Sequence, residues 1–289
     1  MSELCLYAIV LRLVVLRPGA VPYHHGDFAR DALLDLIGKG DIELATSLHD
    51  QNDHKPYTIA PLYGGKRRAD GAQHFGIGDT AFWRFTLLCE PAFEAVLRRY
   101  ILSRELPHVR IGAVEFGVTD SFASNNSHPD SGYVTVPALY ERWNVPVDTL
   151  SRTLTLDFLT PTVFNLGYDR ETKTRTLHTL PSPRFVFGTL RREWLKLGGV
   201  GPGDEFDDWT ERNIEIAALD LHTQEARIKG HFISGFTGRV TYSVRRDNRW
   251  WGVTQLLGEF VFWRGCGYQT TCGMGQVRRV DAAQKEQMP

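Results

Sequence analysis

Two runs of this chain repeat the same order of hydrophobic periods, and they flank one polar, turn-rich stretch, Ser124 to Gly132 (SNNSHPDSG). No other feature restricts the fold as much. In the first run, residues 4–16 are apolar at both alternating sets, the pattern of a strand buried on both faces. Asp27 to Ile37 reads as a helix, with Asp27 as N-cap and Ala29, Leu33, Leu36 and Ile37 inward, stopped by Gly38 and Gly40. Pro56 to Ala60 reads as a short strand, the Gly-, Lys- and Arg-rich stretch 64–78 as a loop, and Ala81 to Cys89 as a strand. Pro91 opens a helix with Phe93, Val96, Leu97, Tyr100 and Ile101 inward, and Ile111 to Val118 is a strand. The order is βαββαβ.

The second run repeats it. After a short amphipathic segment, Pro137–Trp143, come a strand at Thr153–Leu159 and a helix opened by Pro183 and closed by Gly198-Gly199. Strands at Ile214–Leu221 and Arg239–Val244, a helix at 252–264 and a strand at 276–280 complete it. These patterns predict an α+β chain of two tandem ferredoxin-like (βαββαβ, RRM-like) domains, residues 1–130 and 131–289, with SNNSHPDSG as the linker. Sheets of this topology with a solvent-facing side commonly carry RNA, although a fold alone assigns no function.

At 289 residues the chain is long enough for two cores. Its formal charge of −1 argues against indiscriminate coating of nucleic acid but leaves room for local basic patches. Such patches occur at Lys66-Arg67-Arg68, Arg98-Arg99, Arg191-Arg192, Arg245-Arg246 and Arg278-Arg279. The four cysteines, Cys5, Cys89, Cys266 and Cys272, form neither a CxxC nor a disulfide framework. Cys5 and Cys89 lie in apolar runs and read as small buried hydrophobes. The apolar N-terminal run is interrupted by Arg12 and is too short to span a membrane, so the expected location is the cytoplasm, with no membrane partner.

The stretch with most chemical content is Gly265 to Gly275, GCGYQTTCGMG, which holds two GxG pairs. Gly265 reads as the C-terminal stop of the preceding helix. Glycine permits positive φ and close backbone approach, so Gly265, Gly267, Gly273 and Gly275 are expected to lie against a ligand. A helix–loop–strand is the reverse of a phosphate loop opening a helix, and no GxxxxGK[ST] occurs, which disfavours a mononucleotide pocket. His49 and Lys55, six apart in the loop after the first helix, suit attack of a ribose 2′-OH on its own phosphate. An imidazole can move the proton at neutral pH and an ammonium can stabilise the phosphorane. Tyr23, His24 and His25 precede the first helix as further candidates. The adjacent His49-Asp50 pair, with His24, His25, Asp27 and His54 nearby, raises a metal-hydrolase alternative, but such sites draw spaced ligands from helices. No metal and no cofactor are expected.

GCGYQTTCGMGQV resembles the GxGxxxxxGxG Gly-rich loop at the C-terminus of the CRISPR-associated endoribonucleases that process precursor CRISPR RNA, members of the RAMP superfamily. LHDQNDHKPYTIAPLYG resembles that family's N-terminal signature, and LDFLTPTVFN at 156–165 and GFTGRVTY at 235–242 resemble its second-domain strands. The resemblance implies metal-independent cleavage of CRISPR repeat RNA that leaves 2′,3′-cyclic phosphate and 5′-hydroxyl ends. It also implies a His/Lys/Tyr set with histidine and lysine six residues apart, as His49 and Lys55 are. In such members the tyrosine sits in the first helix. Here that helix has none; Tyr23 lies just before it, and His24 or His25 stands next in line. The Gly-rich loop would lie against RNA, with Arg191, Arg192 and Arg278 holding phosphates. The competing expectation is a non-catalytic RNA-binding subunit of a CRISPR effector complex. Subunits of such a complex, or a second copy of this chain, are left open as further partners.

Overall fold

The computed structural model of the chain describes residues 3–51, 55–102, 107–171, 173–228 and 230–280, without the side chains of residues 99–102. The readings placed on His54, and on the side chains of Arg99, Tyr100 and Ile101, fall outside that set.

In chain order the first half comprises β1 (Cys5–Arg17), β2 (Gly19–Pro22), α1 (Gly26–Gly38), α2 (Ile42–Asp50) and β3 (Tyr57–Ile59). There follow β4 (Tyr63–Gly64), β5 (Lys66–Arg67), β6 (Ala72–Phe75), β7 (Thr80–Leu87) and α3 (Glu90–Leu102). It closes with β8 (His108–Ile111), β9 (Val114–Phe122) and β10 (Gly132–Thr135). The main sheet runs β3-β7-β1-β9-β8, all antiparallel. Its β1, β3, β7 and β9 stand in the ferredoxin-like order 2-3-1-4. The stretch 64–78, expected to be a loop, instead supplies β5 and β6, which join β2 in a small separate sheet. SNNSHPDSG is not a linker leading out of this sheet. It connects β9 to β10, and β10 returns to pair with Cys5–Ala8 of β1.

The second half comprises α4 (Val136–Trp143), β11 (Thr153–Thr162), β12 (Phe164–Asp169), β13 (Thr174–His178), α5 (Pro183–Lys196) and α6 (Glu205–Asn213). It ends with β14 (Ile214–Ile228), β15 (His231–Val244), α7 (Trp251–Arg264) and β16 (Val277–Val280). The sheet order β14-β15-β11-β16 is again 2-3-1-4. Both units are therefore ferredoxin-like, as the periodicity predicts. The β12–β13 hairpin and α6 are insertions, and β14 and β15 extend well past the lengths read from sequence.

The doubly apolar pattern of β1 has a specific cause. Ile9, Leu11, Leu13 and Val15 enter the core beneath α1 and α3. Leu6 and Ala8, on the opposite face, enter the core of the second half with Leu256, Leu257 and Phe260 of α7. Helix α7 thus lies between the two sheets. Trp251, Leu256, Leu257, Phe260, Val261 and Trp263 are all buried, as expected of a helix that is apolar around most of its circumference. That face of the first sheet is therefore covered by protein and is not the open RNA platform anticipated for this topology. Leu97 is 41% exposed rather than inward. Cys5 and Cys89 are only half-buried, whereas Cys266 and Cys272 are buried.

Polar side chains also cross the seam. Thr86 Oγ1 donates to Trp263 O at 2.7 Å and accepts from the Thr58 backbone N–H at 3.1 Å. Gln276 Nε2 donates to Ile59 O at 3.1 Å. Arg84 donates to Gln276 Oε1 and to Asp130 O, both at 2.9 Å, and its guanidinium lies 4.5 Å from the Phe262 ring centroid. Burial holds the Arg84 guanidinium down to about 10. Buried polar groups of this kind are costly unless paired, so these bonds favour one relative placement of the two sheets over alternatives.

Candidate nucleic-acid interface

Helix α7 ends where the Gly-rich loop begins. The Gly265 N–H donates to Val261 O at 2.8 Å, and Gly265 has φ +65°. Gly267, Gly273 and Gly275 also have positive φ, at +86°, +86° and +64°. A single 3-10 turn, Thr270–Cys272, separates the two pairs. At three of these positions the crowding comes from the chain itself. A Cβ would run into the carbonyl of Gly275 at Gly265, of Val163 at Gly267, and of Cys266 at Gly275. The loop is hydrogen-bonded back on its own domain, Cys266 N–H to Gly275 O and Tyr268 N–H to Val163 O, each at 2.8 Å. Gly265, Gly267 and Gly275 are thus required by the loop's own fold. Gly273 does line the cleft, and the atoms nearest its would-be Cβ belong to Pro61 and Gly26, at 3.4 and 3.6 Å.

The far side of the loop rests on the start of α1. Gly26 abuts the Cys272 backbone, and Arg30 Nη1 donates to Cys272 Sγ at 3.7 Å. Burial pushes the Cys272 thiol up to about 11, so it is a packing group rather than a nucleophile. Between the two halves this contact leaves a cleft of about 860 Å³. Arg67, Arg84, Arg278, His24 and His128 line it, and Asp130 is the sole acid among its described lining residues.

The sequence-predicted residues divide between the cleft and other places. Tyr23 and His24 line the cleft. The Tyr23 ring carries the Arg67 guanidinium 3.5 Å from its centroid and meets His24 edge-on at 4.8 Å. Burial lowers the His24 pKa, with Glu225 pulling it back up. His25 also touches the cleft, but its ring is committed to the fold. Nδ1–H donates to Pro22 O at 3.0 Å, and Nε2 accepts the Leu62 N–H at 2.7 Å. Burial takes its pKa down to about 4. Both ring nitrogens of His25 are thus engaged by the fold itself.

His49 is in the last turn of α2, not in a loop. Its side chain is 65% exposed, with Nδ1–H donating to Asp50 Oδ1 at 3.0 Å. Lys55 folds back onto the same helix end, where its Nζ donates to Leu48 O at 2.7 Å and His49 O at 2.9 Å. The pair separated by six residues is thus brought together, at the margin of the fold and outside the cleft lining. Among the described residues no cluster of three His, Cys, Asp or Glu side chains could hold a metal ion.

Arg191 is 2% exposed and bonded to Asp204 Oδ1 at 2.7 Å and Pro202 O at 3.3 Å. It pins α5 to the segment entering α6 and is not placed to hold a phosphate, which corrects the sequence reading. Arg192 is exposed but paired with Asp207 at 2.8 Å, away from the cleft lining. Arg278 lines the cleft, loosely paired with Asp157 at 3.4 Å.

Sequence reasoning missed Arg84, His128 and Gln276. A charge inside the apolar run AFWRFTLL was the one available signal for Arg84. His128 was hidden in a stretch that reads as linker; its Nδ1 accepts the Asp130 N–H at 3.0 Å and its ring packs against Phe82 and Phe122.

Comparison with known proteins matches this architecture half by half. The model of the CRISPR Cas6 N-terminal domain matches residues 5–141, and that of the CRISPR-associated endoribonuclease Cas6 matches residues 156–277. The chain belongs to the Cas6 family. A CRISPR-associated endoribonuclease Cas6 of Mycobacterium tuberculosis (strain CDC 1551 / Oshkosh) is 26% identical over 140 residues, which is 47% of this chain and 41% of that relative. The match therefore spans less than half the length of this curated relative. Among solved structures, a Cas6 (TTHB231) product complex has a TM-score of 0.77 at 24% identity, covering 96% of this chain and all of that one. The same protein is also solved as Thermus thermophilus Cas6. A Cas6 (TTHA0078) product complex has a TM-score of 0.71 at 27% identity, with the same coverage. A Cas6-related protein from Pyrococcus furiosus has a TM-score of 0.64 at 14% identity, where only the fold is shared. No helix of the described residues is long and apolar enough to cross a membrane.

Proposed function

We propose that this Cas6 family member is a metal-independent endoribonuclease that cuts CRISPR repeat RNA within precursor transcripts to release mature guide RNAs. The observation that carries the reading is the cleft between the two ferredoxin-like units. Arginines and histidines line it against a single acid among its described residues, on a chain whose net charge is close to zero. Affinity for a polyanion then comes from one local surface rather than from the whole protein. Cas6 relatives of the same fold solved as product complexes point the same way.

The chemistry proposed is attack of a ribose 2′-OH on the adjacent phosphorus with departure of the 5′-oxygen, leaving a 2′,3′-cyclic phosphate and a 5′-hydroxyl. His49 is assigned the proton transfer. With Nδ1–H held by Asp50, Nε2 presents its lone pair outward, the form a general base needs. Lys55 is assigned the developing phosphorane charge, since its ammonium stands over the same helix end. Tyr23 and His24, on the cleft wall, are assigned to holding the RNA strand. The nucleophile belongs to the RNA, so no metal-activated water is required.

The test is to incubate the purified protein with the repeat RNA of its own genome in EDTA and map the cut and its termini. Cleavage to a cyclic phosphate is expected. RNA bound but uncut, with or without divalent ions, would assign the chain instead to a non-catalytic RNA-binding role. Cleavage that needs a divalent ion would overturn the mechanism.

A further inference from the structure

The β12–β13 hairpin belongs to neither main sheet, and most of β12 is exposed. Tyr168 and Arg175 are cross-strand partners on it, and Tyr168 is 53% exposed. Arg175 Cζ stands 5.8 Å from the Tyr168 ring centroid and 5.0 Å from that of Tyr268 in the Gly-rich loop. Among the described residues Arg175 has no carboxylate partner. The exposed Tyr168 ring and the exposed Arg175 contribute little to a folded core, while Tyr268 beside them is half-buried. Their planes and charge match what stacking of unpaired bases beside a phosphate backbone requires.

The hairpin is also anchored. Leu177 and Tyr268 pack on a small core with Val163 and Met274, and Met274 lines the cleft. Strand β11 runs from the cleft wall at Pro161 directly into the hairpin.

We infer that Tyr168, Arg175 and Tyr268 form a second RNA site outside the cleft, a stacking platform for single-stranded RNA flanking the cut. This rests on the reading of the cleft as an RNA site. Stacking one base on such a platform is worth roughly tenfold in affinity.

The test compares two RNAs by fluorescence anisotropy at one salt concentration: the bare repeat, and the repeat with single-stranded extensions at both ends. Tyr168→Ala and Arg175→Ala are each expected to weaken binding of the extended RNA by about tenfold. Affinity for the bare repeat, and its cleavage rate at saturation, should stay unchanged. Tyr168→Phe, which keeps the ring, should bind as wild type does. Arg175→Lys, which keeps the charge but loses the plane, should lose part of the gain from the extensions. Equal affinity of wild type and both alanine variants for the extended RNA overturns the proposal. So does an equal loss on both RNAs, since the platform would then not be a separate site. A wild-type protein that binds neither RNA overturns the underlying reading as well, which separates the two failures.

Discussion

Gly26, the first residue of α1, and Cys272, in the Gly-rich loop, meet backbone to backbone, with no room between them for even one Cβ carbon. This contact seats the loop of the second unit on the helix N-terminus of the first, beside Tyr23 and His24 on the cleft wall.

Gly26→Ala should therefore act on the seam. Overpacking of this kind costs about 1–3 kcal/mol, so a lower Tm and reduced RNA binding are expected together. Gly201→Ala, whose would-be Cβ meets nothing closer than 3.6 Å, should leave Tm near wild type. Gly267→Val should lower Tm as well, because its side chain would run into the Val163 carbonyl. A Gly26→Ala protein with wild-type Tm would show that the loop is not held against α1. The measurement is thermal unfolding of the three variants beside wild type.

Acid should loosen the same region through His25. The native state keeps its imidazole neutral down to about 4, whereas the unfolded chain takes up a proton near its ordinary value of about 6.5. Between those values the unfolded state holds more protons, so stability rises with pH across the window. The contribution is fully present above about 6.5 and is lost as the pH falls toward 4; at most it amounts to about 3 kcal/mol. Denaturant titrations of wild type and His25→Gln from pH 4 to 8 should show a flatter pH dependence for the variant. Parallel curves would mean that His25 is not the group responsible.

For the assigned chemistry, His49→Ala should slow single-turnover cleavage by about 10²–10⁴ with RNA affinity little changed. Lys55→Ala should also slow it, since the ammonium is held beside His49 by capping the α2 carbonyls. If His49→Ala cleaves at the wild-type rate, the proton carrier lies elsewhere, and His24 on the cleft wall is the next residue to replace. Rapid-quench time courses on labelled repeat RNA give the rates.

The two arginines assigned alike from sequence should part company. Arg278→Ala should weaken RNA binding and flatten its salt dependence by about 0.7 in log–log slope if it holds one phosphate of a single strand. Arg191→Ala should instead lower Tm, because it removes a buried side chain that ties α5 to Pro202 O and Asp204. Binding titrations across salt, read beside denaturant unfolding, separate the two effects. A fully stable Arg191→Ala protein with weakened RNA binding would reverse the assignment.

The sequence by itself determined the repeated βαββαβ order, the end of α7 at Gly265 and the peculiarity of the Gly-rich loop. Each depends on local periodicity or on backbone conformation at one residue. The doubly apolar β1 was equally legible as a pattern, but its reason was not, because its second face packs on α7, far away in the chain. Only the tertiary structure decided which polar residues face the cleft. Arg84 meets Gln276 across 192 residues, Gly26 is a glycine because of Cys272, and Arg191 is buried by a neighbouring segment. Burial and charge pairing are set by what the fold brings alongside a residue, and near neighbours in sequence carry no record of that. The same holds for His24 and His25. They are adjacent and chemically identical, yet the Leu62 N–H claims the ring of His25, while that of His24 is left on the cleft wall.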